Sequence, residues 1–272
     1  MRGPVVADCD MQRPPRLPRS NPGLAEMLIA ILTDIHANRE ALSACLAHAE
    51  TLGVDRYVLL GDYVGYGADP GWTIDTVIGL VERGAIAILG NHDAEVLTAR
   101  SRMNEVAQVA IEWTRTQLDA SQRDFIGRLP LTVEQGDMLF VHANAWAPDG
   151  WGYVTGPAEA RRSLEATSCR VTFCGHVHVP ELYFATATGK VAGFIPVAGT
   201  AMPLSPQRRW LAVIGAVGQP RDRIPAACYG LLDDSANSLT YVRVPYDIAS
   251  AAAKIRAAGL PGILAIRLEQ GY

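Results

Sequence analysis

An α/β fold built around two sheets is predicted for this chain, and three observations predict it. Apolar strand-like runs and helix-periodic segments alternate from Leu28 to Leu129, short strands crowd together after Leu131, and polar clusters rich in histidine close the strands. In order, Leu28 to Thr33 reads as a buried strand, Glu40 to Leu52 as an amphipathic helix and Tyr57 to Leu60 as a second strand, together a βαβ opening. Thr73 to Arg83 follows as a helix, Ala85 to Leu89 as a third buried strand, and Asn104 to Leu118 and Ser121 to Leu129 as two more helices. Strands are then expected at Leu131 to Glu134, Met138 to Val141, Val171 to Cys174, Leu182 to Ala185, Trp210 to Ile214, Ala227 to Leu232 and Leu239 to Val244. One helix, Pro157 to Thr167, interrupts them. A last helix, Tyr246 to Ala258, is closed by Gly259 and Pro261.

The 272 residues suit one α/β domain, 27–272, preceded by an Arg/Pro-rich stretch, 1–26, expected to be a disordered tail. Met27 heads the first strand, so the tail reads either as a flexible extension or as the product of an upstream start codon. No secretory apolar core follows the early arginine, because four prolines break Met11 to Pro22. Apolar runs fall well short of the roughly 20 residues that cross a bilayer. Five scattered cysteines with no C-x-x-C pair argue for reduced thiols in a cytoplasm rather than a disulfide or zinc-finger framework. A net charge of −4 excludes a dedicated nucleic-acid-binding module.

Chemistry is concentrated in five polar clusters, each directly after an apolar strand: Thr33-Asp34-Ile35-His36, Gly61-Asp62, Gly90-Asn91-His92-Asp93, Val141-His142 and Gly175-His176-Val177-His178. Loops at the carboxyl ends of strands converge on one crevice in an α/β sheet, so the five clusters are expected to form one site. Asp34 and His36, and likewise His176 and His178, are two apart, and strand periodicity would turn each pair toward one face. Imidazole mixed with carboxylate suits Mn²⁺, Fe or Zn²⁺, whereas oxygen donors alone would point to Mg²⁺ or Ca²⁺. Asp34, His36, Asp62, Asn91, His142, His176 and His178 are too many donors for one tetrahedral ion and suit two ions sharing a carboxylate. His48, inside a helix, reads as a solvated face, and Cys174 as a buried thiol beneath the site.

These blocks resemble the calcineurin-like metallophosphoesterase superfamily, whose pattern is D-x-H, G-D, G-N-H-[DE], an isolated H and G-H-x-H. The resemblance runs from Met27 to the end. It is closest to the compact bacterial and archaeal phosphodiesterase or diadenosine-tetraphosphatase-like branch, through Asp34-Ile35-His36-Ala37-Asn38, Gly61 to Pro70, Gly218-Gln219-Pro220-Arg221-Asp222 and Val244 to Ile248. Where relatives carry an N-P-G-S-type stretch, this chain has Ile214-Gly215-Ala216-Val217. The resemblance implies a four-layer α/β/β/α sandwich of two packed mixed sheets. It places Asp34, His36, Asp62 and His178 on one ion and Asp62, Asn91, His142 and His176 on the other. His92 would act on the leaving oxygen. Asp93 either orients His92 or caps the following helix.

The activity implied is hydrolysis of a phosphodiester or dinucleoside polyphosphate by in-line attack of a metal-bound water, with two divalent ions, Mn²⁺ first and Fe or Zn²⁺ as alternatives. The partner is then a small phosphate ester or nucleotide. Asn38, Tyr66 and Arg221 are candidates for substrate contact, and Tyr66, Trp72 and Trp151 lie in loops able to stack a base. A serine/threonine protein phosphatase or phosphomonoesterase is the second reading. Its Asp-Arg-Gly signature is replaced here by Gly65-Tyr66-Gly67, and its Glu after Asn-His by Asp93. A non-catalytic scaffold is the third, and it would have lost ligands that this chain keeps.

Overall fold

A computed structural model of the protein describes residues 27–98, 103–186 and 188–272. The expected tail, 1–26, lies outside the described residues. The strands are β1 (Leu28–Leu32), β2 (Arg56–Leu59), β3 (Ile86–Ala87), β4 (Thr132–Gln135), β5 (Met138–Val141), β6 (Val171–Cys174), β7 (Glu181–Ala185), β8 (Val191–Phe194), β9 (Ala201–Pro203), β10 (Arg209–Val213), β11 (Ala227–Asp233) and β12 (Ser238–Val244). The helices are α1 (Arg39–Thr51), α2 (Pro70–Glu82), α3 (Asn91–Leu97), α4 (Glu105–Gln117), α5 (Ala120–Gly127), α6 (Pro157–Glu165), α7 (Ile248–Ala257) and α8 (Gly262–Gln270).

Two six-stranded mixed sheets result, ordered β3-β2-β1-β11-β12-β9 and β4-β5-β6-β10-β7-β8. Each contains a parallel trio, β3-β2-β1 in the first and β5-β6-β10 in the second. Side-chain alternation then builds the layers, because successive residues of a strand face opposite sides. Ile29 and Ile31 of β1 join Phe140, Phe173, Trp210 and Ala212 between the sheets, while Ala30 and Leu32 face Leu42, Cys45, Ile74 and Val77 on the helical side. In β10, Trp210 and Ala212 point inward, and Leu211 and Val213 pack on Ala160 and Leu164 of α6. The order is therefore helix, sheet, sheet, helix, as expected. Both faces of these strands are buried, which is why they read as unbroken apolar runs rather than alternating ones.

Several boundaries differ from expectation. β3 keeps only two residues, α7 starts at Ile248, and the chain re-enters a helix, α8, immediately after Pro261. Pro261 ends nothing here; it stands at the N-cap of α8. His48 is not a solvated residue of α1, since its Nδ1 bonds the Tyr229 hydroxyl of β11 at 2.8 Å. Across the molecule, Lys254 Nζ of α7 pairs with Glu40 Oε1 at 2.6 Å and Asp69 Oδ2 at 2.8 Å, tying α7 to α1 and to the loop after β2.

Candidate metal centre

Every expected cluster sits at the carboxyl end of a parallel strand. Asp34 and His36 follow β1, Asp62 follows β2, Asn91 opens α3 after β3, His142 follows β5, and His176 and His178 follow β6. The two trios thus deliver carboxylates from one sheet and imidazoles mostly from the other to a single buried point. The strand-periodicity explanation for the i, i+2 pairs is corrected by the backbone. Asp34, His36, Asp62, His176 and His178 all have left-handed φ, from 49° to 66°. Such residues leave the strand sharply, and each one is disfavoured unless its surroundings fix it.

Those surroundings are main-chain hydrogen bonds between ligand loops. Asp34 N–H donates to Gly61 O at 3.1 Å, His36 N–H to Asp62 O at 2.9 Å and Gly175 N–H to His142 O at 2.8 Å. Asp34 Oδ2 accepts from His176 N at 2.8 Å and from Thr33 Oγ1 at 2.9 Å, and Asp62 Oδ1 accepts from His92 N at 2.8 Å. Ile214 to Gly218 bridges the sheets: Val217 N–H donates to Thr33 O at 2.9 Å, and Gly218 N–H to Asp34 O at 2.8 Å. The glycines before the ligands serve close approach. A Cβ on Gly175 would collide with Thr33 Oγ1 and Asp34 Oδ2, whereas one on Gly262 would meet nothing within 4 Å. Gly175→Ala should therefore destabilise the protein by about 1–3 kcal/mol, the usual range for overpacking. Gly262→Ala should leave the thermal midpoint unchanged or raised, as read by calorimetry.

The four imidazoles have their tautomers set from outside. His36 Nδ1 donates to Val64 O at 3.1 Å, His142 Nδ1 to Leu60 O at 2.8 Å, His178 Nδ1 to Gln219 O at 2.7 Å, and His176 Nε2 to Trp151 O at 3.0 Å. A carbonyl only accepts, so each of these nitrogens carries the hydrogen and the other nitrogen of the neutral ring presents a lone pair inward. Those inward atoms crowd together. His36 Nε2 lies 3.2 Å from His178 Nε2, and His142 Nε2 lies 3.2 Å from His176 Nδ1 and 3.0 Å from Asn91 Oδ1. Asp34 Oδ1 is buried without a hydrogen-bond partner among the described residues, although His178 Nε2 is only 3.1 Å away.

Electrostatics agree with this reading. Burial pushes Asp34 and Asp62 up, but His178 beside the first and His142 beside the second outweigh it and hold both carboxyls below the usual range. Burial pulls His176 down to about 3 and His36 well below the usual imidazole range. Burial also disfavours the charged form of His142, but the Asp62 carboxylate, 3.4 Å away, overrides it and raises the ring to about 9. The carboxylate thus draws a cation to the point where donor atoms converge, and an ion bound there would take the place of the proton on His142 Nε2. Ligand atoms of Asp34, His36, Asp62 and His178 lie within 4.8 Å of one another, as do those of Asp62, His142 and His176. Asp62 belongs to both sets. Lone pairs facing lone pairs beside two ionised carboxylates form a donor set that fits divalent transition-metal ions.

Residues 27–236 match the calcineurin-like phosphoesterase superfamily domain. The chain belongs to that superfamily. An uncharacterized protein of Methanocaldococcus jannaschii is 32% identical over 254 residues, 91% of this chain and 100% of the relative. A metallophosphoesterase of Sphaerobacter thermophilus superposes with a TM-score of 0.82 at 36% identity, covering 91% of this chain and 100% of that one. A hypothetical protein of Pyrococcus horikoshii shares the fold, with a TM-score of 0.74 at 17% identity over 90% of this chain and 98% of that one. This metallophosphoesterase is a hydrolase of phosphate esters, and its family implies divalent metal ions. Among the described residues no helix is long and apolar enough to cross a membrane.

Around the metallophosphoesterase centre, other expected residues fall in different places. His92 packs edge-on against His36, with centroids 4.8 Å apart, and against Tyr66 at 4.4 Å, and its buried Nδ1 has no hydrogen-bond partner among the described residues. Burial holds its pKa near 4. Asp93 does not orient the His92 ring. Its Oδ2 accepts from Gly90 N at 3.1 Å and its Oδ1 from Tyr63 N at 2.9 Å and Val64 N at 3.2 Å, so it caps α3 and shapes the Asp62 loop. Asn38 has a structural task as well, its Oδ1 capping α1 at Ala41 N and its Nδ2 donating to Gly218 O at 2.8 Å. Trp72 lies in the first turn of α2, packed under the Arg39 guanidinium at 4.9 Å. Arg221 and Tyr66 do meet, at 5.8 Å, and Gln219 Oε1 holds the guanidinium. The sequence reading passed over the carbonyls of Val64, Leu60, Gln219 and Trp151, because a backbone acceptor leaves no residue-type signature.

Proposed function

We propose that this chain is a dinuclear-metal phosphoesterase acting on phosphodiester or dinucleoside-polyphosphate bonds. The observation that carries the reading is the ring of outward-tied imidazoles, whose inward nitrogens crowd two ionised carboxylates. Asp34, His36, Asp62 and His178 would hold one ion, and Asp62, Asn91, His142 and His176 the other, with Asp62 between them. When bound, the ions supply Lewis acidity, polarising phosphoryl oxygens and acidifying water. The remaining steps fall to side chains. Fixed tautomers keep the donors pre-aimed, so little reorganisation accompanies binding. His92, neutral and unpartnered at Nδ1, offers an N–H to the departing oxygen, and Arg221 meets a phosphate oxygen from beside Tyr66.

Mn²⁺ is the ion expected to support turnover, with Fe or Zn²⁺ as alternatives, in a cytoplasmic setting. The test is to measure bound metals by mass spectrometry and Mn²⁺-supported rates on phosphodiesters, dinucleoside polyphosphates, a phosphomonoester and a phosphopeptide. Diesters or dinucleoside polyphosphates should be turned over fastest; a phosphopeptide ranked first would overturn the substrate class. Residues 27–272 are proposed to be the whole catalytic unit. A chain starting at Met27 should keep its rate and thermal midpoint, and a loss of several degrees would show that residues 1–26 contribute to the fold.

A further inference from the structure

Beside the metal centre, Tyr153 is 52% exposed, yet its ring lies flat on the His176 imidazole, with centroids 4.1 Å apart and planes at 20°. The ring is held there by its neighbours in the chain. Trp151 O is engaged by His176 Nε2 at 3.0 Å, and Asn144 accepts from Ala147 N at 2.9 Å and donates to Gly152 O at 2.8 Å. Trp151 itself takes a left-handed φ of 52°, and Val154 on the far side is buried at 1% exposure. A tyrosine with its backbone pinned on both sides has lost most of the freedom that ordering would otherwise remove. One face of the ring is covered by His176, and the ring's exposure leaves the other to solvent.

Resting on the phosphoesterase reading above, we infer that Tyr153 is a stacking platform for a planar ring of the substrate, which assigns a nucleoside phosphate as the substrate class. An imidazole fixed beside the proposed ion carries the tyrosine, so a base stacked on the open face lies next to the phosphate rather than across the surface. Stacking on an aromatic face accepts any base, and it predicts tolerance of base identity rather than selectivity. Trp151 strengthens the same wall from inside, with its ring 5.9 Å from His142.

The test uses the Mn²⁺-loaded protein with adenosine 5′-monophosphate and inorganic phosphate as probes, measured by titration calorimetry. Tyr153→Leu keeps an apolar cover over His176 but cannot stack. It should weaken adenosine monophosphate binding about 5- to 10-fold, the lower part of the range for loss of one base–aromatic stack, and leave phosphate binding unchanged. Tyr153→Phe and Tyr153→Trp should retain nucleotide affinity. Equal weakening of both probes would overturn the proposal by making Tyr153 a mere shield of the metal ligand, and so would unchanged nucleotide binding in Tyr153→Leu. Failure of the wild-type protein to hydrolyse any phosphate ester with any divalent ion would instead remove the underlying reading, an outcome separable from either.

Discussion

Asp62→Asn is expected to lower metal occupancy and to reduce hydrolysis by about 10³-fold or more, beyond what deletion of a single transition-state donor produces. The amide is nearly isosteric, and its oxygen can still accept from His92 N, so the fold around α3 should persist. What disappears is the charge shared by both donor sets. Wild-type protein titrated with Mn²⁺ should show a rising thermal midpoint, because a ligand that binds only the native state stabilises it by mass action. Asp62→Asn should show a much smaller rise, and His48→Ala, whose ring bonds Tyr229 away from the site, should bind metal and turn over as the wild type does. Equal losses in the two variants would overturn the ligand assignment.

His92→Ala should keep two ions bound while lowering kcat by about 10²- to 10⁴-fold on substrates with alkoxide leaving groups, the usual contribution of a positioned proton donor. An aryl leaving group of low pKa has less need of that donor and should suffer much less. The contrast between the two substrates is the measurement. Loss of a metal ion would make His92 a ligand, and equal slowing on both substrates would make it a charge stabiliser. Because Tyr66 and His36 pack against its ring, His92→Gln, which retains a donor, serves as the partial-rescue control.

Much of the layered fold was legible because β1, β6 and β10 are buried on both faces and therefore read as apolar runs. β8 and β9 were not, since Val191-Ala-Gly-Phe and Ala201-Met-Pro are short, partly exposed edge strands with no two-residue alternation to detect. α8 was hidden by a rule that usually holds: glycine then proline normally closes a helix, and here Pro261 opens another. The ligand blocks stood out by residue type, but the reason for their spacing did not. Left-handed turns, not strand pleats, bring His36 and His178 face to face. Asn38 and Asp93 show the converse limit: a polar residue beside the site looks the same in sequence whether it faces substrate or satisfies backbone groups, one amide for Asn38 and three for Asp93.

The candidate ligands issue from strand ends of two different sheets, which also share the apolar seam filled by Ile29, Ile31, Phe140 and Phe173 and the hydrogen bonds from Val217 and Gly218 to Thr33 and Asp34. An ion held as proposed is then a rivet through that seam, joining Asp34 to His178, 144 positions apart in the chain. Parting the sheets requires breaking those bonds first, so the lifetime of the loaded protein on heating is governed by how slowly it surrenders its metal. On that assignment durability would be a property of the molecule's chemistry, and whatever strips the ions would shorten the survival of the fold along with the reaction.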